Sequence, residues 1–486
     1  MRDIKNLGQL KASGYLPKSI KDELRQNLIQ KLKSKTNTFE GILGFEDSVI
    51  PDLERAILSR HNILLLGLRG QAKTRLARLM VHLLDEYIPV IAGSELNDDP
   101  LQPVSRYAID MIREHGDETP VTWMHRSERY VEKLATPDVS VADLIGDVDP
   151  IIAATLKLPY SDERVIHFGL IPRSHRCIFV INELPDLQAR IQVSLFNILQ
   201  EGDIQIRGFK LRLPLDIEFV FTANPEDYTN RGSIITPLKD RIQSQILTHY
   251  PEEIDTAIAI TRQEAKPDTA QVSAITIPDK IRKLLEQIAF EARESELIDQ
   301  KSGVSARLTI SAFEHIMSSA ERRMILNSEK KTNVRISDVW NVIPAITGKV
   351  ELVYEGEQEG PESVAISLIE EAIDKMFLEY FPNPEDLQPG MQRDPYDAIK
   401  MWFSDHNLLE LNLNDSDAEF SHKLEQVPGL KKLAQSVKAP AEELPLLMEL
   451  ILHGLSEYNI INKQYQGSGF KFNDDLSDMF DDLQDN

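Results

Sequence analysis

HNILLLGLRGQAKTRLARLM, residues 61–80, decides how the rest of the chain is read. The apolar run Ile63 to Leu66 has the length and composition of a buried strand, and glycine follows it. A loop that grips phosphate needs a strand, then a glycine-rich turn with inward-facing backbone N–H groups, then a helix whose positive end meets the anion. Gly67, Leu68, Arg69, Gly70, Gln71, Ala72, Lys73 and Thr74 supply the turn. Gly67 and Gly70 give it freedom, Lys73 reaches for the β- and γ-phosphates, and the Thr74 hydroxyl is offered to Mg²⁺. Beyond it Leu76, Met80 and Leu83 recur on one face, which predicts a helix packed on a sheet. One position departs from the usual pattern, Ala72, where glycine ordinarily precedes the lysine. Alanine fits there if its backbone is right-handed, as expected at a helix start, and is disfavoured at positive φ. The stretch predicts a nucleoside triphosphate and hydrolysis.

Working outward, strand-like and helical runs alternate between about residues 60 and 265, in RCIFVINEL, LQARIQVSLFNILQEG and DIEFVFTAN. Such alternation predicts an α/β domain with parallel strands and helices on both faces. GDIQIRGFKLRLPLD, residues 202–216, alternates about an Arg-Gly pair and predicts a β-hairpin. A strand from Cys177 to Ile181 ends in Asn182-Glu183, where phosphate hydrolases carry an acidic pair that holds Mg²⁺ and polarises the attacking water. Asn182 in the first place brings an acceptor without charge and predicts weaker hold on Mg²⁺ through water; Glu183 remains for the water. The same two residues also suit an ordinary helix cap. A further strand, Ile217 to Phe221, runs through Thr222-Ala223 to Asn224, an amide that suits either the γ-phosphate or a turn before Pro225. Carboxyl ends of parallel strands converge on one crevice, so the three in order carry more than any one. Arg241, in PLKDR, and Arg307, in GVSARLTI at a helix start, are candidates for neutralising charge on a transferred phosphoryl group, or for surface ion pairs.

The bulk numbers agree with a folded machine. The 486 residues are 42% hydrophobic and 27% charged, and they carry a net charge of −24, against duplex nucleic-acid binding as a main task. No run is apolar enough for a membrane span, the N-terminal stretch lacks the apolar segment of a secretion signal, and one cysteine, Cys177, forms no internal disulfide; a cytoplasmic protein is expected. His125, His167 and His175 lack metal-ligand spacing. Arg173 and Arg176 read as a solvated loop, Met376 and Phe377 as core. Residues 1–38 read as an arm with one amphipathic helix bearing Leu24, Leu28 and Leu32, and 39–265 as the nucleotide-binding domain. Residues 266–355 read as a small helical domain. After YEGEQEGPES, taken as a linker, 356–486 read as a helical region ending in an Asp-rich tail.

Taken together, GLRGQAKT, ATPDVSVADLIGDVDP with FGLIPRSHRCIFVINELPDL, the hairpin before FTANP, TPLKDR and GVSARLTISAFE resemble the AAA+ ATPases. The resemblance is closest to the ATPase subunit of magnesium chelatase and its MoxR-like relatives, over about residues 39–355. It implies an αβα phosphate-loop core with a hairpin ahead of the first sensor, followed by a helical lid. It implies ATP and Mg²⁺ as ligands, Asn224 as first sensor, Arg241 as the finger acting on a neighbour's nucleotide, and Arg307 as second sensor in the lid. Residues 41–50, GILGFEDSVI, match the segment that packs against adenine. A homo-oligomeric ring, commonly a hexamer, and a partner bearing a von Willebrand factor A domain follow by the same resemblance. The other readings kept open are a true magnesium chelatase subunit acting on protoporphyrin, a ring helicase or transcription activator, and a nucleotide-gated scaffold. For the helicase reading, Arg207, Lys210 and Arg212 on the hairpin would line a basic pore.

Overall fold

A computed structural model describes residues 3–159, 163–206, 212–225, 232–387 and 394–474, which fall into two compact units, Met1–Tyr250 and Pro251–Asn486.

In the first unit five parallel strands form one sheet: β1 (Ile63–Leu66), β2 (Tyr130–Leu134), β3 (Cys177–Asn182), β4 (Ile217–Ala223) and β5 (Ser244–Leu247). Their order across the sheet is β5-β1-β4-β3-β2. The three central strands are buried along their whole length, which is why they read as uninterrupted apolar runs. The edge strands β2 and β5 are half-exposed and mixed in composition. One face of the sheet, carrying Ile63, Leu65, Ile178, Val180 and Val220, packs on Leu24, Leu28, Leu53, Leu76 and Met80 from three of the helices and the turn after the last. The helices in this part of the chain are α1 (Leu7–Ala12), α2 (Ile20–Ser34), α3 (Val49–Leu58) and α4 (Lys73–Leu79). A 3₁₀ turn, Met80–Leu83, extends α4, and Leu76, Met80 and Leu83 are all buried, as their spacing predicts. The opposite face carries Leu64, Phe179, Ile181, Phe219 and Phe221 against the helix pair Ala189–Ser194 and Phe196–Glu201.

The N-terminal arm differs from the expected single helix. It holds two helices, and Ser19 starts the second by accepting the Asp22 N–H on its hydroxyl at 3.1 Å. Leu24 and Leu28 are buried but Leu32 is 41% exposed. A spacing of four drifts by about 40° per step around a 3.6-residue helix, so the third leucine rotates off the sheet. A buried bidentate pair, Glu23 with Arg129 at 2.7 Å on both arms, pins the arm to the sheet. Stranding either charge would cost about 3–5 kcal/mol.

The hairpin at 202–216 is present: Asp203–Gln205 pairs antiparallel with Arg212–Pro214. Arg207 and Lys210 lie outside the described residues. Arg212 is exposed and sits 3.6 Å from Asp203.

In the second unit α5 (Asp279–Glu294), α6 (Arg307–Leu326), α7 (Pro361–Tyr380) and α8 (Leu444–Glu457) share one apolar core that runs from Ile275 to Phe472. Met376 and Phe377 belong to it. The helix Ile254–Glu264 packs here too, its Thr261 hydroxyl donating to Glu286 at 2.5 Å. YEGEQEGPES is not a linker. It forms the helix Tyr354–Glu359 and the first turn of α7, because Gly356 lies flat on the Leu297 carbonyl and Pro361 suits a helix start. The region after 356 also carries an antiparallel sheet, β6 (Leu409–Asn412), β7 (Asn462–Tyr465) and β8 (Gly469–Asn473), with β8 in the middle. Most of the Asp-rich tail lies outside the described residues. Among the described residues no helix is long and apolar enough to cross a membrane.

Candidate nucleotide-binding site

Gly67 leaves β1 with its N–H on the Ala223 carbonyl of β4 at 3.1 Å, so the loop begins at the carboxyl end of the sheet. No side chain is tolerated there, since a Cβ would run into Thr248 Oγ1 and Gln71 Oε1. Those two atoms are hydrogen-bonded to each other at 2.7 Å and lock the loop to the residue after β5. Gly70 has φ 76°. Arg69 is exposed, and its carbonyl accepts the Tyr250 hydroxyl at 2.8 Å. At the start of α4 the Ala72 side chain makes no cap, and the positive end of the helix faces the loop.

Ala72 does not take the right-handed conformation expected from the sequence. It has φ 53°, ψ 14°, the left-handed region, which costs an L-residue roughly 1–2 kcal/mol. The loop geometry overrides the residue's preference. Ala72→Gly should therefore stabilise the first unit by up to about 1 kcal/mol in urea unfolding, the strain relief exceeding the entropy glycine adds to the unfolded chain. A right-handed Ala72 would give the opposite sign, a loss of about 0.5–1 kcal/mol.

The Lys73 ammonium is buried and donates to the carbonyls of Gly67 and, at 2.8 Å, Leu68. It is thus folded into the loop's own cradle, at the position from which a phosphate oxygen would draw it. The Thr74 hydroxyl lies 3.4 Å from Asn182 Oδ1 at the end of β3. Asn182 does not cap a helix. Its Oδ1 accepts the Thr222 hydroxyl of β4 at 3.0 Å, and its Nδ2 donates to Glu132 of β2 at 2.6 Å.

Glu183 follows in the left-handed region, φ 54° and ψ 51°, with its N–H on Thr222 Oγ1 at 3.2 Å. A non-glycine residue held there at about 1–2 kcal/mol is what a site with a positional demand looks like. Asn224, one residue past the carbonyl that holds Gly67, is buried. Residues 67–74, Asn182, Glu183 and Asn224 are therefore gathered at one end of one sheet.

The arginines stand apart. Arg241 donates from Nε to Gln200 at 3.1 Å and from Nη1 to the Pro237 carbonyl at 2.6 Å, and stacks 4.7 Å over the Phe196 ring. Arg307 is the first residue of α6, exposed, in the second unit. Phe45, from the stretch matched to the adenine segment, is buried and meets His249 edge-on at 5.1 Å. Sequence reasoning missed Glu132 and the Gln71–Thr248 lock. Tyr130, Glu132 and Leu134 alternate in RYVEKL, the one trace of β2.

The residues present fit Mg²⁺: two hydroxyls and an amide oxygen are hard oxygen donors, and Mg²⁺ commonly takes few protein ligands beside phosphate and water. Among the described residues no cluster of three or more His, Cys, Asp or Glu could hold a metal by itself. A cavity of about 440 Å³ opens at the amino ends of β3 and β4, lined by Lys18, Asp99, His175, Arg176 and Asp216 among others. It is the wrong end of the sheet for this chemistry. Arg176, read from sequence as part of a solvated loop, is buried with Asp99 at 3.1 Å. His175, pushed down to about 4 by burial, accepts the Asp216 N–H at 2.9 Å.

The loop follows the second strand from one edge of the sheet, with β4 and then β3 on its other side. The fold is an α/β sheet with a phosphate-type loop at its carboxyl end. The sheet and its loop lie in the first unit, Met1–Tyr250. No protein-family model matches the chain. Solved structures to which it is similar include a suspected ATPase from Cytophaga hutchinsonii, 16% identical, covering 74% of this chain and 97% of that one at a TM-score of 0.29. NtrX from Brucella abortus is 14% identical, with 72% and 66% covered at 0.38. A complex of the magnesium chelatase subunits BchI and BchD contains a chain 19% identical, with 66% and 98% covered at 0.35.

Proposed function

We propose that the chain is a chelatase-like, MoxR-like AAA+ ATPase, active as a homo-oligomeric ring, commonly a hexamer, that couples ATP binding and hydrolysis to remodelling a partner protein. The observation that carries this reading is the meeting of Thr74, Asn182, Thr222 and Glu183 at the carboxyl ends of adjacent strands. Lys73 and the positive end of α4 would hold phosphate, Thr74 would hold Mg²⁺ directly and Asn182 through water, and Glu183 would orient and polarise the attacking water. Bound Mg²⁺ supplies charge neutralisation across the phosphate oxygens. Asn224 senses the γ-phosphate, while Arg241 reaches a neighbour's site and Arg307 acts from the lid. A partner with a von Willebrand factor A domain is part of the proposal by family resemblance, as a porphyrin-inserting complex is of its alternative.

The test is ATP turnover by the purified chain against its mass in solution. Turnover that rises as the chain assembles is expected; a chain that binds no ATP, or binds it and never releases phosphate at any concentration, overturns the motor reading. The second of those results would favour the nucleotide-gated scaffold, a reading to which the uncharged Asn182 lends support.

A further inference from the structure

We propose that Glu132 is the positioning residue for the metal side of the site, replacing from the neighbouring strand the carboxylate that Asn182 lacks; this rests on the nucleotide reading above. Register brings the two together. Glu132 pairs with Val180, and strand alternation puts its side chain on the face that carries Asn182, two residues on.

The Glu132 carboxylate accepts the Asn182 Nδ2–H at 2.6 Å. A carboxylate only accepts, so the amide must turn its NH₂ edge to Glu132 and its oxygen to the other side. On that side stand the hydroxyls of Thr222, at 3.0 Å, and Thr74, at 3.4 Å. The amide orientation is thereby fixed by chemistry, and Asn182 Oδ1 becomes the acceptor for the Thr74 proton, freeing the hydroxyl's lone pairs for a cation. Negative charge at Glu132 also polarises the amide, adding electron density at Oδ1. From the solvent side Arg78 clamps the same carboxylate, with Nε at 3.0 Å and Nη2 at 2.9 Å, and the Tyr130 hydroxyl donates at 3.1 Å. The bond to Asn182 and these contacts share one carboxylate.

A plain structural ion pair between Glu132 and Arg78 is the competing account, and it differs in what it predicts for Mg²⁺. The experiment measures binding of ATPγS to the full chain by calorimetry, in EDTA and across a Mg²⁺ titration, for the unmodified protein and four variants. Glu132→Gln should leave affinity in EDTA unchanged and raise the Mg²⁺ concentration for half-maximal effect about tenfold, the low end of what loss of an outer partner does at metal sites. Arg78→Gln should leave it within about twofold of the unmodified chain. Asn182→Asp alone sets two carboxylates at hydrogen-bond distance, where like charges force a shared proton, and should not strengthen the Mg²⁺ response. The exchange Glu132→Gln with Asn182→Asp puts acid and amide in each other's places and should return the response to within about threefold of the original. A Glu132→Gln response matching the unmodified chain, an Arg78→Gln response matching that of Glu132→Gln, or an exchange no better than Glu132→Gln alone overturns the proposal. Those failures leave ATPγS binding intact, whereas an unmodified chain that binds none brings down the nucleotide reading and this one with it.

Discussion

Glu183→Gln is expected to lower steady-state ATP hydrolysis by about 10²–10⁴-fold, the contribution of a positioned base, while ATP affinity stays within a few fold of the unmodified chain. The substitution is isosteric, and the strained backbone that presents the side chain is held by the Glu183 N–H on Thr222 Oγ1, which glutamine keeps. What changes is the loss of a carboxylate able to take a proton from water. Phosphate release and nucleotide binding, measured side by side, separate the effect from a folding defect. Were Glu183 only a helix-capping residue, turnover would survive; the structure already argues against that, because the 3₁₀ turn Leu184–Asp186 has no side-chain cap hydrogen bond. A variant that still turns over ATP at the original rate would remove Glu183 from the mechanism. A variant that binds ATP and holds it also becomes a trap: a partner retained on it in the presence of ATP would identify the protein being remodelled.

What could be read in the sequence and what could not follows from where each strand lies. β1, β3 and β4 occupy the centre of the sheet with both faces covered, so every position must be apolar and the runs stand out. β2 and β5 are edges. Their residues are half wet, their composition is mixed, and four or five such residues give no period distinct from a loop. Glu132 was lost with β2, and with it the acid that sits against Asn182. Ala72 failed for another reason. Its left-handed backbone is set by the loop closing between β1 and α4, a demand that local preference for right-handed alanine does not reveal. In the second unit, Gly, Pro and Glu at 354–363 looked like a linker, yet that glycine marks close packing on Leu297.

Arg241→Ala should reduce turnover further still, by about 10³–10⁵-fold, if the arginine completes a neighbour's site as arginine fingers do. In the single chain its guanidinium is held by Gln200, Pro237 and Phe196, all within its own unit. Those contacts lie at an incompletely buried surface; the stacking on Phe196 is worth about 0.5–1 kcal/mol. On the proposed reading a neighbour's phosphate would displace these contacts, and assembly would release the arginine from its own chain. If the role were structural, Arg241→Ala would lose only that stability and keep its rate. The decisive measurement mixes two inactive variants. In a mixed assembly a subunit carrying Arg241→Ala still has Glu183, and a neighbour carrying Glu183→Gln still has Arg241. Each interface of that kind contains one complete site, so the mixture should recover turnover that neither variant shows alone, and the recovery should rise with total protein concentration. Mixing that restores nothing, at concentrations where the unmodified chain assembles and hydrolyses ATP, would mean that Arg241 does not act across an interface.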